Sequence, residues 1–459
     1  MSSTGIIQNW DQLATGELRN AALAIIEAGI SRVLPDTILR TAATFEKAAG
    51  ILRINRDSFP ISGRLFVIGG GKASGLMAQT LENILGVEYI ETGLVVEKAD
   101  PSEFQTRKIR IVQAGHPIPD ERGIKAANLM LALKPKFDLT ADDLILCLLS
   151  GGGSALLPCP LEGLSLIDKQ KVASLLLSSG ANINEINCIR KHLSRTKGGR
   201  LAQYFAPTPI VSLILSDVIG DDPGVIASGP TFPDSSTYQE AYNVLKKYDL
   251  CGKVPVAVIS ILESGCRGDI SETPKSLDNA FNYVVGNNRM ALEAMAEKAG
   301  CLGLTPLIIS AEQSGETTQV ARQRAQEIIS GAYNGYDALL IGGETTPALP
   351  AGAGTGGRNQ HYAAVTLEMF QNYPGEWLAA SIGTDGSDFI PDVAGALVDR
   401  QTLRNIKTRG LNLKACLEAY DSYSLLNSAG GSLVYTGSTH TNVGDVILYL
   451  FAGAPAKKN

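Results

Sequence analysis

Arg64-Leu-Phe-Val-Ile-Gly-Gly-Gly-Lys-Ala-Ser-Gly75 is the stretch on which the fold turns. An apolar run through Ile68 meets three glycines and a lysine, and a helical pattern follows through Leu85. A short continuous apolar run reads as a strand buried on both faces, the condition of a parallel sheet covered by helices. The same device recurs at Leu144 to Leu149 before Ser150-Gly-Gly-Gly-Ser-Ala155, and at Ile210 to Leu215 before Ser216-Asp-Val-Ile-Gly-Asp-Asp-Pro-Gly224. Later instances are Ala338-Leu-Leu-Ile-Gly-Gly-Glu-Thr345, Leu378 to Ile382 before Gly383-Thr-Asp-Gly-Ser-Asp388, and Leu433-Val-Tyr-Thr-Gly437. Amphipathic stretches such as Leu18 to Ile30, Lys125 to Leu133, Asp168 to Ser179 and Gln319 to Ile329 fill the intervals. The expected fold class is α/β, with two α/β domains of which the first has a mainly parallel sheet. A polar stretch between Cys266 and Phe281, carrying Pro274, places the expected boundary between residues 1–272 and 273–459, with the strand Phe281 to Val285 opening the second series.

Composition narrows the function. Glycine supplies 48 of 459 residues, well above the roughly 7% of average usage, and without a three-residue period. A hydrophobic content of 44% excludes a disordered chain, and a net charge of −6 argues against general nucleic-acid or anionic-membrane binding. No apolar run approaches the roughly 18 residues of a membrane span; Val446 to Ala456 is too short and contains Gly453 and Pro455. Seven scattered cysteines without a CxxC pair, and four separated histidines, favour neither a disulfide framework nor a thiolate or histidine metal cluster. With no leader pattern before Arg19, the expectation is a cytoplasmic protein.

Glycine turns at strand ends let backbone N–H groups approach an anion, and a following helix N-terminus adds a favourable partial charge. Gly69, Gly70 and Gly71 with Lys72 offer this, although the loop is neither a Walker A motif nor a complete dinucleotide fingerprint. The bland reading is a tight turn with an exposed lysine. Ser150, Gly151, Gly152, Gly153 and Ser154 form a second potential nest, lacking the last glycine of a serine-nucleophile elbow. Asp217, Asp221 and Asp222 surround one loop and suit Mg²⁺ better than zinc, with Asp385 and Asp388 on a second acidic loop; single aspartates at strand ends are more often turn formers. Between Asn187 and Arg200 lies a basic run whose default reading is a solvated face, yet Arg190, Lys191 or Lys197 could serve an anionic substrate. Arg358, in Gly352-Ala-Gly-Thr-Gly-Gly-Arg-Asn-Gln360, could clamp a carboxylate or a transferring phosphoryl group.

Taken together, Gly69-Gly-Gly-Lys-Ala-Ser74, Ala114-Gly-His-Pro-Ile-Pro-Asp120, Ser150-Gly-Gly-Gly-Ser-Ala-Leu-Leu-Pro158, Lys197-Gly-Gly-Arg-Leu-Ala202, Ser216-Asp-Val-Ile-Gly-Asp-Asp-Pro223 and Gly356-Gly-Arg-Asn-Gln360 resemble the glycerate 2-kinase family with a C-terminal MOFRL domain, some members of which carry the name hydroxypyruvate reductase. The resemblance runs from the N-terminal helix to about Leu450. It implies a Rossmann-like first domain and a smaller MOFRL-type second domain with the active site in the cleft between them. The implied reaction is ATP- and Mg²⁺-dependent phosphorylation of the 2-hydroxyl of D-glycerate, or a related hydroxy acid, to 2-phosphoglycerate. It further implies Lys72 and Arg358 as catalytic cations and Asp217 as an active-site carboxylate; Asp217 and Asp221 are the metal candidates, and Arg190, Lys197, Asn359 and Asp385 the substrate-binding candidates. No nucleic-acid or membrane partner is expected, and a homodimer is compatible. Departures from the family pattern fall at His361, Phe389, Ile390 and His440. They motivate one alternative, a non-catalytic ligand-binding member; a second, an NAD(P)H-dependent hydroxy-acid reductase, is motivated by the reductase name in the family and by Gly69-x-Gly71 with Glu91.

Overall fold

The computed structural model describes residues 5–452. The chain forms two compact units, Ile38–Val285 and Met1–Thr37 with Gly286–Asn459. The sheet of the first runs, edge to edge, Ile109–Gln113, Ile90–Glu97, Leu65–Gly70, Leu144–Ser150, Ile210–Leu215 and Ala280–Gly286. The pairs joining the first five strands are parallel, with Val67 opposite Leu146 and Cys147 opposite Ser212. Every residue of Leu65–Gly70, Leu144–Ser150 and Ile210–Leu215 is buried, as their unbroken apolar character requires. From Leu65–Gly70 the strands Ile90–Glu97 and Ile109–Gln113 build outward to one side, while Leu144–Ser150 and its successors build to the other. That reversal creates a crevice at the carboxyl ends of the two central strands, and both glycine-rich turns sit there.

The expected boundary needs correction. Ala280–Gly286, read as opening the second domain, is instead the last strand of the first sheet, beside Ile210–Leu215. The polar segment around Pro274 is internal to this unit: Asp234 N donates to the Pro274 carbonyl at 3.0 Å, and the Pro274 ring packs against Gly199. The N-terminal helix Glu17–Arg32 belongs to the other unit, where Gly29 allows close approach to Met295 and Arg19 pairs with Asp399 at 2.6 Å. Segment polarity marks a loop; which sheet the next strand joins is a long-range matter.

In the second unit the sheet order is Pro306–Gln313, Ala338–Gly343, Asp445–Ala452, Glu376–Gly383, Val393–Asp399 and Leu433–Tyr435. Its first pair is parallel and the other four are antiparallel. The apolar runs here are buried as expected, but burial on both faces does not dictate strand direction. The C-terminal apolar run supplies a central strand, with Leu450 opposite both Ala338 and Leu378; its residues 453–456 lie outside the described residues. Among the described residues no helix is long and apolar enough to cross a membrane, and all seven cysteines are free.

Candidate active site

The two glycine turns of the first unit are packed directly against each other. Gly69 has φ +151°, and a Cβ there would strike the Leu148 backbone; Gly71, also at +151°, would strike Ser150. Only glycine permits this approach in this backbone conformation. Lys72 N donates to the Gly151 carbonyl at 2.9 Å and Ala73 N to Ser150 Oγ at 3.0 Å, while Gly71 N is taken by the Val96 carbonyl at 3.0 Å. At the start of the helix Ser74–Leu85, Gly75 N donates to Glu97 Oε2 at 3.0 Å. Burial pushes the Glu97 carboxyl up to about 7, against the pull of its backbone donors. The expected phosphate cradle at Gly69, Gly70 and Gly71 is therefore not what this turn builds. Its N–H groups are spent on the neighbouring strands, and a carboxylate of the chain itself caps the helix where a phosphate was expected.

Catalytic candidates instead converge on the second turn. A Cβ on Gly151 would fall on the Asp217 carboxylate, and one on Gly152 would lie 3.0 Å from His116 Nε2 and 3.1 Å from Lys72 Cγ. A cation, a carboxylate and an imidazole thus crowd one pair of glycines, and Gly152 itself is left-handed at φ +82°. His116 was not among the expected site residues; its only sequence signal was the Ala114-Gly-His-Pro-Ile-Pro-Asp120 segment. Asp221 lies farther along the turn after Ile210–Leu215, at φ +54°, and Asp222 Oδ1 receives Gly224 N at 2.8 Å, so part of this acidic loop serves the turn itself. Among the described residues no group of three or more His, Cys, Asp or Glu side chains could hold a metal ion.

Beside Gly152 and Ser154 opens a cavity of about 800 Å³. The basic run divides around it. Lys191 pairs with Asp234 at 3.1 Å and Arg195 bonds Asn128 at 3.1 Å, whereas Arg190 and Lys197 line the cavity. Lys197 Nζ donates to the Ser154 carbonyl at 3.0 Å, and the Ser154 hydroxyl meets Ser228 Oγ at 2.7 Å. A third cation, Lys169 on the helix Leu166–Ser178, lines the same wall and escaped the sequence reading, because its helix scans as ordinary and amphipathic. Burial lowers Lys169 to about 8 and depresses Lys197 as well.

In the second unit the helix Arg358–Met369 follows its own glycine loop, and again a carboxylate caps it. Asp388 accepts from Asn359 N at 3.0 Å and Gln360 N at 2.8 Å, and burial raises it to about 6. Arg358 is held by Asp445 through Nε at 2.7 Å and Nη2 at 3.0 Å, with Glu344 2.9 Å from Nη1. Burial opposes its charge, but Asp445 and Glu344 outweigh burial and raise its pKa. Asn359, expected to bind substrate, is 1% exposed; Nδ2 donates to Asp445 at 2.9 Å and Oδ1 accepts from Ser381 at 2.6 Å, so it braces the Arg358 partner. Asp385 Oδ1 closes a turn onto Ser387 N at 3.0 Å.

Residues 21–263 match the family described as Domain of unknown function (DUF4147), and residues 337–445 match the MOFRL family. A glycerate 2-kinase of Pyrococcus horikoshii is 38% identical over 440 residues, covering 93% of this chain and 97% of its own length. The chain belongs to the glycerate 2-kinase family with a MOFRL domain. A crystal structure of the Thermotoga maritima glycerate kinase superposes with TM-score 0.81 at 37% identity, covering 94% of this chain and 99% of that one. An Agrobacterium vitis relative, 38% identical over 394 residues, covering 84% of this chain and 98% of its own length, carries a provisional hydroxypyruvate reductase name.

Of this glycerate 2-kinase family chain's departures, Ile390 packs against the second-unit core. His361 is 2% exposed, stacks on Tyr420 at 4.0 Å, and bonds Ser422 Oγ at 3.0 Å and Thr318 Oγ1 at 3.1 Å. Burial lowers it to about 4, so it is a neutral packing residue at pH 7. Phe389 is 77% exposed at φ +66°, and His440 adopts φ +52°.

Proposed function

We infer that the chain is a D-glycerate 2-kinase that moves the γ-phosphoryl of ATP to the 2-hydroxyl of glycerate with Mg²⁺. The observation that carries this reading is the meeting of Lys72, His116 and Asp217 on Gly151 and Gly152, at the switch point of the sheet. Phosphoryl transfer needs cations around the equatorial oxygens and an oriented hydroxyl rather than a covalent nucleophile. Lys72 supplies the charge, and Asp217 orients the 2-hydroxyl and accepts its proton or holds the metal. Mg²⁺ binds through one or two carboxylates plus phosphate oxygens and water, a demand that Asp217 with Asp221 meets without a larger acidic cluster. Bound there, it would neutralise phosphate charge. Arg190 and Lys197 attract the anionic groups of the ligands.

A dinucleotide at Gly69-x-Gly71 is disfavoured, because the turn's N–H groups are taken and Glu97 occupies the helix start. The test is a coupled assay with ATP, Mg²⁺ and D-glycerate. Lys72→Ala and Asp217→Asn should each lower kcat about 100-fold or more, while hydroxypyruvate should not oxidise NADH. A wild-type chain forming no phosphoglycerate would sink the reading.

A further inference from the structure

The first-unit cavity holds, beside Arg190 and Lys197, a third cation to which the proposed reaction assigns no role. Lys169 Nζ is buried and has no hydrogen-bond partner, and Arg190 and Lys197 face the same space. No carboxylate is among the cavity's lining residues, so three cations share a wall without a counter-charge. Buried charges are normally paired, because desolvation is repaid only by a partner. The cavity rim has the opposite character. Ile118 is 69% exposed and Leu177 is 63% exposed, and both line the opening. A deep cationic floor under an apolar, solvent-facing rim is complementary to a ligand that is polyanionic at one end and flat and apolar at the other. At about 800 Å³ the space lies within the usual range of ligand sites and is far larger than a three-carbon acid requires.

We propose that this cavity is the nucleoside triphosphate site, with the polyphosphate on Lys169, Arg190 and Lys197 and the base against Ile118 and Leu177. The assignment rests on the phosphotransfer reading above and deepens it. Lys197 is already fixed to the Ser154 carbonyl, beside Gly152, so the cationic floor adjoins the turn where Lys72, His116 and Asp217 meet. A terminal phosphate anchored on that floor lies next to the catalytic cation. Lys169, with one buried ammonium and no partner in the free protein, is the group whose pairing the ligand completes.

Calorimetric titration of the full chain with ATP, adenosine and inorganic tripolyphosphate separates the two ends of the ligand. Lys169→Met should weaken ATP and tripolyphosphate about 10- to 100-fold while leaving adenosine unchanged. Ile118→Ser combined with Leu177→Ser, both at exposed positions, should weaken ATP and adenosine and spare tripolyphosphate. Burial lowers Lys169 to about 8, with Cys159 and Arg190 acting on it and Lys197 itself depressed by it. ATP binding at pH 8 should therefore take up protons in the wild type, measured as a buffer-dependent heat, and fewer in Lys169→Met. Wild-type ATP affinity in both variants overturns the assignment, even if the chain phosphorylates glycerate. Binding with the predicted variant pattern but no phosphoryl transfer would uphold the nucleotide site and remove the kinase reading instead.

Discussion

Lys169→Met should make the free protein more stable. The stem of Lys169 is partly exposed, but its Nζ is buried without a partner, and burial lowers its pKa from 10.5 to about 8. At about 1.4 kcal/mol per unit this difference costs the folded state about 3 kcal/mol at pH 7, where both states are mostly protonated. The sign follows from proton counts. With its folded pKa depressed, the native state binds fewer protons, so the penalty is full below pH 8 and is relieved as pH rises from 8 towards 10.5. At pH 10 less than about 1 kcal/mol should remain. Methionine keeps the stem's length and apolar contacts while removing the charge. Urea and thermal unfolding of both proteins, without nucleotide, at pH 7 and pH 10, measure the effect. At pH 7 the variant should unfold higher by about 5 °C or more, at roughly 2–4 °C per kcal/mol for a unit of this size. Cys159 and Arg190 are common to both proteins, whereas Lys197, whose pKa Lys169 lowers, is partly relieved by the substitution, which adds to the gain at low pH in the same sense. A variant less stable at pH 7, or a gain equal at both pH values, would refute the buried-unpaired-cation argument.

Three further outcomes follow from the packing. Gly71→Ala should destabilise by about 3 kcal/mol or more in urea unfolding, because its Cβ meets Ser150 as well as a strained φ, whereas Gly163→Ala, at φ +85° with open space, should cost only about 1 kcal/mol. Asp445→Asn should cost about 1.5–3 kcal/mol, since it removes the two-point carboxylate contact and leaves Arg358 with Glu344 alone; an unchanged urea midpoint would contradict the assigned geometry. Glu97, raised from 4.5 to about 7, gives stability that is complete below pH 4.5 and lost as pH rises through 7, by about 3 kcal/mol. In Glu97→Gln that part of the slope between pH 5 and 7.5 should disappear from the urea midpoints.

The first sheet was legible because its strands are short unbroken apolar runs ended by glycine, and complete burial leaves the chain few other solutions. Strand direction was less legible, as the antiparallel second sheet shows with equally apolar runs. Ala280–Gly286 was legible as a strand but not as the edge of the first sheet, because the sheet a strand joins is set by long-range pairing. At the site, Lys72 and Asp217 stood out by their place beside glycine turns. His116 and Lys169 did not, because one lies in a proline-rich loop and the other on an unexceptional helix.

Where strands end and which turns require glycine are readable along the chain, since apolar period and positive φ are local properties. What those turns do is set by their surroundings in space. Whether an N–H is offered to a ligand or spent on Val96, Ser150 or Glu97 depends on strands far away in the chain, and so does whether a lysine is solvated or buried beside two other cations. Hydrogen-bond satisfaction and desolvation act through space, and they are why the proposed anion site is the cavity beside Gly152 rather than the turn at Gly69, Gly70 and Gly71.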